Sequence, residues 1–362
     1  MYKLIFALLF SVALISCEDA INSDNNVLVT KFENYSVIYT KIDENDESQS
    51  AIWRSRAAMD ENQIFIDNAI LLSEPQSNKL IYHESEGGEI KGAYLYDMAT
   101  ENKKLVGSSV SGDIETFYKL SPDGTRYMKN NTNALDRPGE LYVADTETSN
   151  ETLISDQTNI ELAHFSPDGQ KIAYTVFPGF TDSGFQFSDV VVANSDGSGK
   201  KILHKSDSVA VVGWSPDGSE LLCQVMHSYA EKNSIALMDA ENGELTILKT
   251  YDKDQVMAHP VFSPDGTKIA LFANDMDLAV MNPDGSNFEI IVDNHGKMNS
   301  IDLPRIKWHK DSRHLIYQRT PNHSSGDISF ANVEIVDTQT GAAEVIEGQT
   351  NVVRAFWILD KE

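Results

Sequence analysis

The sequence predicts an all-β fold, a single β-propeller of four-stranded blades, and three observations carry that expectation. The tetrapeptide Ser-Pro-Asp-Gly recurs from Ser121, Ser166, Ser215 and Ser263, at intervals of 45, 49 and 48 residues. Each copy lies between two short apolar runs, as in "HFSPDGQKIAYTVF" from His164. A second turn follows in some units, as Asn194-Ser-Asp-Gly197 and Asn282-Pro-Asp-Gly285. Self-similarity at this period marks a repeat architecture whose units cannot bury both faces alone.

The unit around Ser166 reads as four strands: Ile160 to Phe165 (a), Lys171 to Val176 (b), Val190 to Ala193 (c) and Lys201 to His204 (d). The turn chemistry explains the motif. Pro167 presets φ near −65°, Asp168 can bond the backbone ahead of it, and Gly169 supplies positive φ. These residues are therefore expected to be structural. No D-x-[DN]-x-[DN]-G run accompanies them, so no calcium loop is predicted. The aromatics before the turns, Phe165, Trp214, Phe262 and Trp308, are expected to pack between blades.

Degenerate copies extend the series. "KWHKDSRHLIYQRT" places His309 at the serine position, and "LSEPQSNKLIYHES" places Glu74 there. The segment "NVVRAFWILDKE" matches strand a, with Phe356 at the aromatic position. Its partners are expected near the N-terminus: Ser36 to Thr40 as b, Ala51 to Ser55 as c, and Gln63 to Ile66 as d. One blade would then be built from both ends of the chain, leaving no open ring. This counts seven blades, with six or eight as alternatives if Val27 to Phe32 adds a strand.

Residues 1–16 read as a signal peptide, with Lys3 before the apolar run Leu4 to Phe10; the run is too short to span a bilayer. The stretch Leu14-Ile15-Ser16-Cys17 resembles the bacterial lipobox. That resemblance implies cleavage before Cys17 and acylation of its sulfur and amino terminus, a stable membrane anchor. Residues 17–29 read as a polar tether and 30–362 as the propeller. The acidic pair Glu18-Asp19 resembles the surface-export signal of lipoproteins in the Bacteroides group. The expected location is the bacterial outer membrane or cell surface, with a periplasm-facing anchor as the alternative.

The chain carries 55 acidic against 29 basic residues, a formal charge of −26. No basic run occurs, which argues against nucleic acid as a partner. Beyond Cys17 the only cysteine is Cys223, in the apolar run "ELLCQVM", so no disulfide is expected and the thiol should be inert. A monomer is expected.

The Phe-Ser-Pro-Asp-Gly-x-Lys-Ile-Ala pattern with its downstream Asn-x-Asp-Gly turn resembles the WD40-like repeats of the TolB-type propeller family. The likeness extends over residues 30 to 360. It implies the architecture and little about activity, since such repeats serve peptidases, lyases and binding proteins alike. A peptidase of the prolyl-oligopeptidase type would need a G-x-S-x-G nucleophile turn, and none occurs in the 362 residues.

The a–b and c–d turns share one end of a propeller, and the b–c and d–a loops share the other. Here the second set varies from blade to blade, and loops on a rigid scaffold are where binding function concentrates. The candidate binding residues are Phe177, Phe180, Phe185 and Phe187 in "FPGFTDSGFQFSD", His227 and Tyr229 in "MHSYAEK", and Arg319 and His323 in "RTPNHSSGD". The expected role is non-catalytic: recognition or scaffolding of a protein or glycan partner in the cell envelope, with no cofactor or metal. The alternative is a metal-dependent polysaccharide lyase or hydrolase at the central channel. His259 in "AHPVFSPDG" is similar to part of the oligogalacturonate lyase pattern, and Arg305 and Arg354 could meet an acidic sugar. The closely spaced glutamine and two histidines that hold the metal in that family have no counterpart beyond Gln255 with His259.

Overall fold

The computed structural model describes residues 35–42, 50–56, 61–86, 89–108, 117–131, 140–156, 160–176, 180–181, 184–185, 189–205, 208–226, 232–252, 257–274, 277–293, 306–319, 332–346 and 352–359. Among these, seven antiparallel four-stranded sheets form a β-propeller. Strand a of each blade, in order around the ring from blade 2, is Ala69–Leu71, Tyr118–Leu120, Ile160–Phe165, Ser208–Trp214, Met257–Phe262, Ile306–Trp308 and, for blade 1, Val352–Leu359. Val27 to Phe32 lies outside the described residues.

Blade 1 closes the ring as the sequence predicts. Val352–Leu359 pairs antiparallel with Tyr35–Ile42, which pairs with Ser50–Arg56, which pairs with Glu61–Ile66. Chain-end strands thus meet in one sheet, and hydrogen bonding of both termini replaces two free edges.

The core is seven clusters, one at each contact between neighbouring blades. The cluster between blades 4 and 5 holds Val190, Val209, Val211, Leu221 and Cys223, all fully buried. Its counterpart at the closure packs Val37 and Tyr39 of blade 1 against Ile316, Val333 and Ile335 of blade 7. Apolar residues on both faces of the b and c strands explain why these strands read as near-continuous hydrophobic runs.

The repeated turn is a closed set of hydrogen bonds. In blade 4 the Ser166 amide donates to the Lys171 carbonyl (2.9 Å), and the Ser166 hydroxyl oxygen accepts from the Lys171 amide (2.9 Å). That hydroxyl donates to Asp168 Oδ1 at 2.6 Å, which also accepts from the Gln170 amide at 3.0 Å, and the Gly169 amide donates to the Ser166 carbonyl at 2.8 Å. The same pattern holds at Ser121, Ser215 and Ser263. Carboxylates so placed are easier to ionise: Asp217 is held down to about 2, first by the Ser219 amide and then by the Ser215 hydroxyl.

Gly169 has φ of +68°, where its Cβ would meet nothing closer than 3.7 Å. Gly169→Val should therefore fail through backbone strain rather than collision, costing about 1–3 kcal/mol. Urea unfolding should register this loss, and a substituted protein as stable as the parent would contradict the turn assignment.

Two positions of the repeat differ from the sequence expectation. The serine position of blade 2 is Ser73, not Glu74: the Ile81 amide donates to Ser73 Oγ at 2.9 Å, the same bond that Ser166 accepts. The longer Glu-Pro-Gln-Ser-Asn-Lys connection displaced the alignment by one residue. In blade 1 the aromatic position is Trp357, not Phe356. Trp214, Trp308 and Trp357 each donate their indole N–H to a strand-a carbonyl of the preceding blade: His164 (3.0 Å), Val261 (3.2 Å) and Lys307 (3.3 Å). Phe356 is completely buried, one position earlier in that column.

Candidate functional site

Strand a brings chemistry to the ring's axis through the residue immediately before the inter-blade aromatic. From blade 2 onward and ending at blade 1, that column reads Leu71, Lys119, His164, Gly213, Val261, Lys307 and Phe356. Leu71 and Phe356 are fully buried. The polar members interact. Lys119 Nζ donates to the Ala163 carbonyl (2.9 Å) and lies 3.0 Å from His164 Nδ1. The Lys307 ammonium pairs with Glu74 and sits 5.5 Å from the Phe356 ring centre. Burial, with the Lys119 and Lys307 charges adding to it, pushes the His164 imidazole well below the ordinary histidine range. Blades 2, 3, 4 and 7 therefore meet electrostatically at the turn end of the channel.

His259 occupies strand a of blade 6 in a left-handed conformation, φ 53°, immediately before Pro260. The ladder shifts register between Ala258 and Val261, so this is a bulge. The bulge begins at a pinned point, because the Met257 carbonyl accepts from both Gln224 Nε2 (2.9 Å) and the Tyr251 hydroxyl (3.1 Å). A histidine held at positive φ by its surroundings stores strain of a kind that clusters at functional sites.

Arg354 spans the closure: its Nη1 donates to the Leu71 carbonyl of blade 2 at 2.6 Å. Burial, and then the Arg354 charge, lowers the pKa of His83. Two histidines of blade 7 have separate settings. His309 packs edge-on to Tyr35 (4.5 Å) and Trp357 (5.0 Å), and His314 Nδ1 lies 2.8 Å from Asp311 Oδ2. Among the described residues, no group of three or more His, Cys, Asp or Glu is placed to hold a metal ion. Cys223 is fully buried, and burial alone pushes its thiol far up, leaving it unreactive.

The loop residues are reached only in part. Phe180–Thr181 and Gly184–Phe185 pair as a two-stranded ribbon, with Phe180 opposite Phe185. Arg319 ends strand b of blade 7. Phe177, Phe187, His227, Tyr229, His323 and Arg305 lie outside the described residues, as does Cys17. Sequence reasoning missed Lys119, His164 and Lys307. Each stands two residues before its turn serine or the equivalent position, and the column these residues share has no common residue type to mark it. No helix among the described residues is long and apolar enough to cross a membrane.

No family profile matches the chain, and no curated protein sequence does. Solved structures do. The chain is similar to an oligogalacturonate lyase in complex with manganese, with TM-score 0.57 and 14% identity over 83% of this chain and 89% of that one. It is similar to TolB from Acinetobacter baumannii, with TM-score 0.50 and 14% identity over 90% and 82%. It is also similar to prolyl oligopeptidase B from Galerina marginata, with TM-score 0.58 and 13% identity over 93% of this chain but 54% of that one. These likenesses are of fold alone; the seven blades are those of the chain's own sheets.

Proposed function

We propose that the protein is a lipid-anchored recognition propeller of the bacterial envelope, holding a protein or glycan partner with its b–c and d–a loops. The carrying observation is the contrast between the two ends. At the turn end, the serine, aspartate and glycine groups of every S-P-D-G copy are engaged by one another and by the turn's backbone. The other end joins blades through segments without a shared motif, and the phenylalanine-rich segment from Phe177 to Phe187 belongs to it. The anchor rests on the Leu14-Ile15-Ser16-Cys17 stretch. The similar TolB structure supports the architecture of this reading.

A second reading has one specific observation in its favour: the strained His259 on the channel wall, in a fold shared with an oligogalacturonate lyase. Under it His259 would serve as base or metal ligand, with Arg305 and Arg354 on the uronate. Arg354 already binds a backbone carbonyl, and the described histidines are spread over blades 2, 4, 6 and 7 with no metal-holding group among the described residues. Turnover separates the two readings. Uronate oligomers incubated with the purified protein and added manganese should yield no unsaturated, ultraviolet-absorbing product, and His259→Ala should leave partner capture unchanged. Product formation that a chelator abolishes would overturn the binding reading.

A further inference from the structure

A cavity of about 270 Å³ opens beside the channel where blade 5 supplies a glycine to the ring-facing column. A Cβ placed on Gly213 would meet nothing within 4 Å, so the missing side chain leaves real space. Apolar side chains form about half of the exposed wall, among them Val212, Trp214, Pro216, Pro260, Val261 and Pro264. Two charged groups enter, Lys307 and Glu74, which are paired with each other. An ammonium has three donors, and the Glu74 contact uses one of them. His164, next to Gly213 in the column, is held neutral by burial first and then by the charges of Lys119 and Lys307. This part of the channel therefore carries two ammonium groups and one carboxylate, in a chain whose formal charge is −26. Screening confines the influence of the distant acidic surface to about 8–10 Å at physiological salt, so the local positive field decides what enters.

We propose that this cavity binds a carboxylate carried on a compact apolar body, with Lys307 as its charged partner and the Gly213 gap as the seat of the hydrocarbon. The volume lies just below the ~300–1,000 Å³ range of ordinary ligand pockets, which suits one amino-acid-sized group. Such a group comes from two sources, a free small carboxylic acid or the carboxyl terminus of a protein chain ending in an apolar residue. The site is at the turn end of the channel, so it is independent of the loop-end recognition proposed above.

The test uses the full mature chain in detergent, titrated calorimetrically with 4-methylpentanoate, with its amide, and with the tripeptide Ala-Ala-Leu as free acid and as carboxyl amide. Saturable binding of an acid, weakened about tenfold or more in its amide, is expected because a charge-assisted bond is lost. Lys307→Met should weaken the acid by a similar factor, and Gly213→Leu should abolish binding by filling the space. Gly213 lies outside the left-handed region, so Gly213→Leu should melt with the parent; Gly213→Ala is the milder variant if it does not. Equal binding of acid and amide, binding undiminished in both Gly213 variants, or no saturable binding of any probe would each overturn the proposal. A peptide acid binding more tightly than 4-methylpentanoate would assign the site to a chain terminus, and the reverse order to a free carboxylate.

Discussion

Removing residues 351–362 is expected to leave a chain that aggregates or melts far below the parent. Val352–Leu359 supplies the only innermost strand of blade 1, paired with Tyr35–Ile42 over its length. Without it, the edge of Tyr35–Ile42 loses its ladder, and the clusters to either side lose Val352, Ala355, Phe356 and Ile358. The point substitution Phe356→Ala isolates the packing part. Phe356 is 0% exposed, and truncating a fully buried phenylalanine costs about 3–5 kcal/mol. Thermal unfolding followed by circular dichroism reads both effects. A truncated chain that melts with the parent would show that the ring closes by some other pairing.

Asp337→Ala should destabilise blade 7 and change its response to acid. Blade 7 replaces the S-P-D-G turn with His309-Lys-Asp-Ser-Arg-His314, and an ion network takes over the turn's work. Asp337 is 6% exposed and accepts from Arg313 through both Nε and Nη2, with the Gln339 amide adding a third bond at 3.0 Å. Only the carboxylate half of this pair is buried, since the Arg313 side chain is 38% exposed and stays hydrated when left alone, so the loss is that of the carboxylate's hydrogen bonds, about 1–2 kcal/mol.

The pH dependence follows in sign. The Arg313 hydrogen bond holds Asp337 down to about 2, below the 3.8 of an ordinary aspartate. Its contribution is therefore complete above about pH 4–5 and is lost as pH falls toward 2. Burial lowers His309 as well, so the unfolded chain takes up that proton first, and stability falls as pH drops through the ordinary histidine range. Both act in the same direction. The parent should lose stability steadily from pH 7 to pH 3, and Asp337→Ala should flatten the lower part of that curve. An unchanged acid limb would contradict the assignment of Asp337 as an ionised partner.

The repeat was legible because its residues do local work. Serine, aspartate and glycine at fixed offsets close one turn, so their spacing carries the blade count and the closure without any tertiary information. What failed was alignment where local chemistry thinned out. Glu74 and Phe356 were each placed one residue from the true repeat position, because neither unit retains the tetrapeptide and the bonds that identify Ser73 and Trp357 reach other strands or blades. The channel cluster was invisible for a related reason. Lys119, His164 and Lys307 lie far apart in sequence and converge only because successive strand a segments stand side by side around an axis. The Arg354 bond to the Leu71 carbonyl is a contact of the same kind, between positions far apart in the chain.

The central proposal is that the loop end, not the outer c–d turns, engages the envelope partner, and that the protein does so from a lipid anchor at Cys17. A photo-crosslinking residue at Phe180 or Tyr229, compared with one at Asp196 or Asp284 on the outer c–d turns, tests it most directly in intact bacterial envelopes. The account predicts a discrete, membrane-associated adduct from Phe180 or Tyr229 that disappears when Cys17→Ala releases the anchor, and none from Asp196 or Asp284. Adducts formed equally from both ends, or from the c–d turns alone, would contradict it.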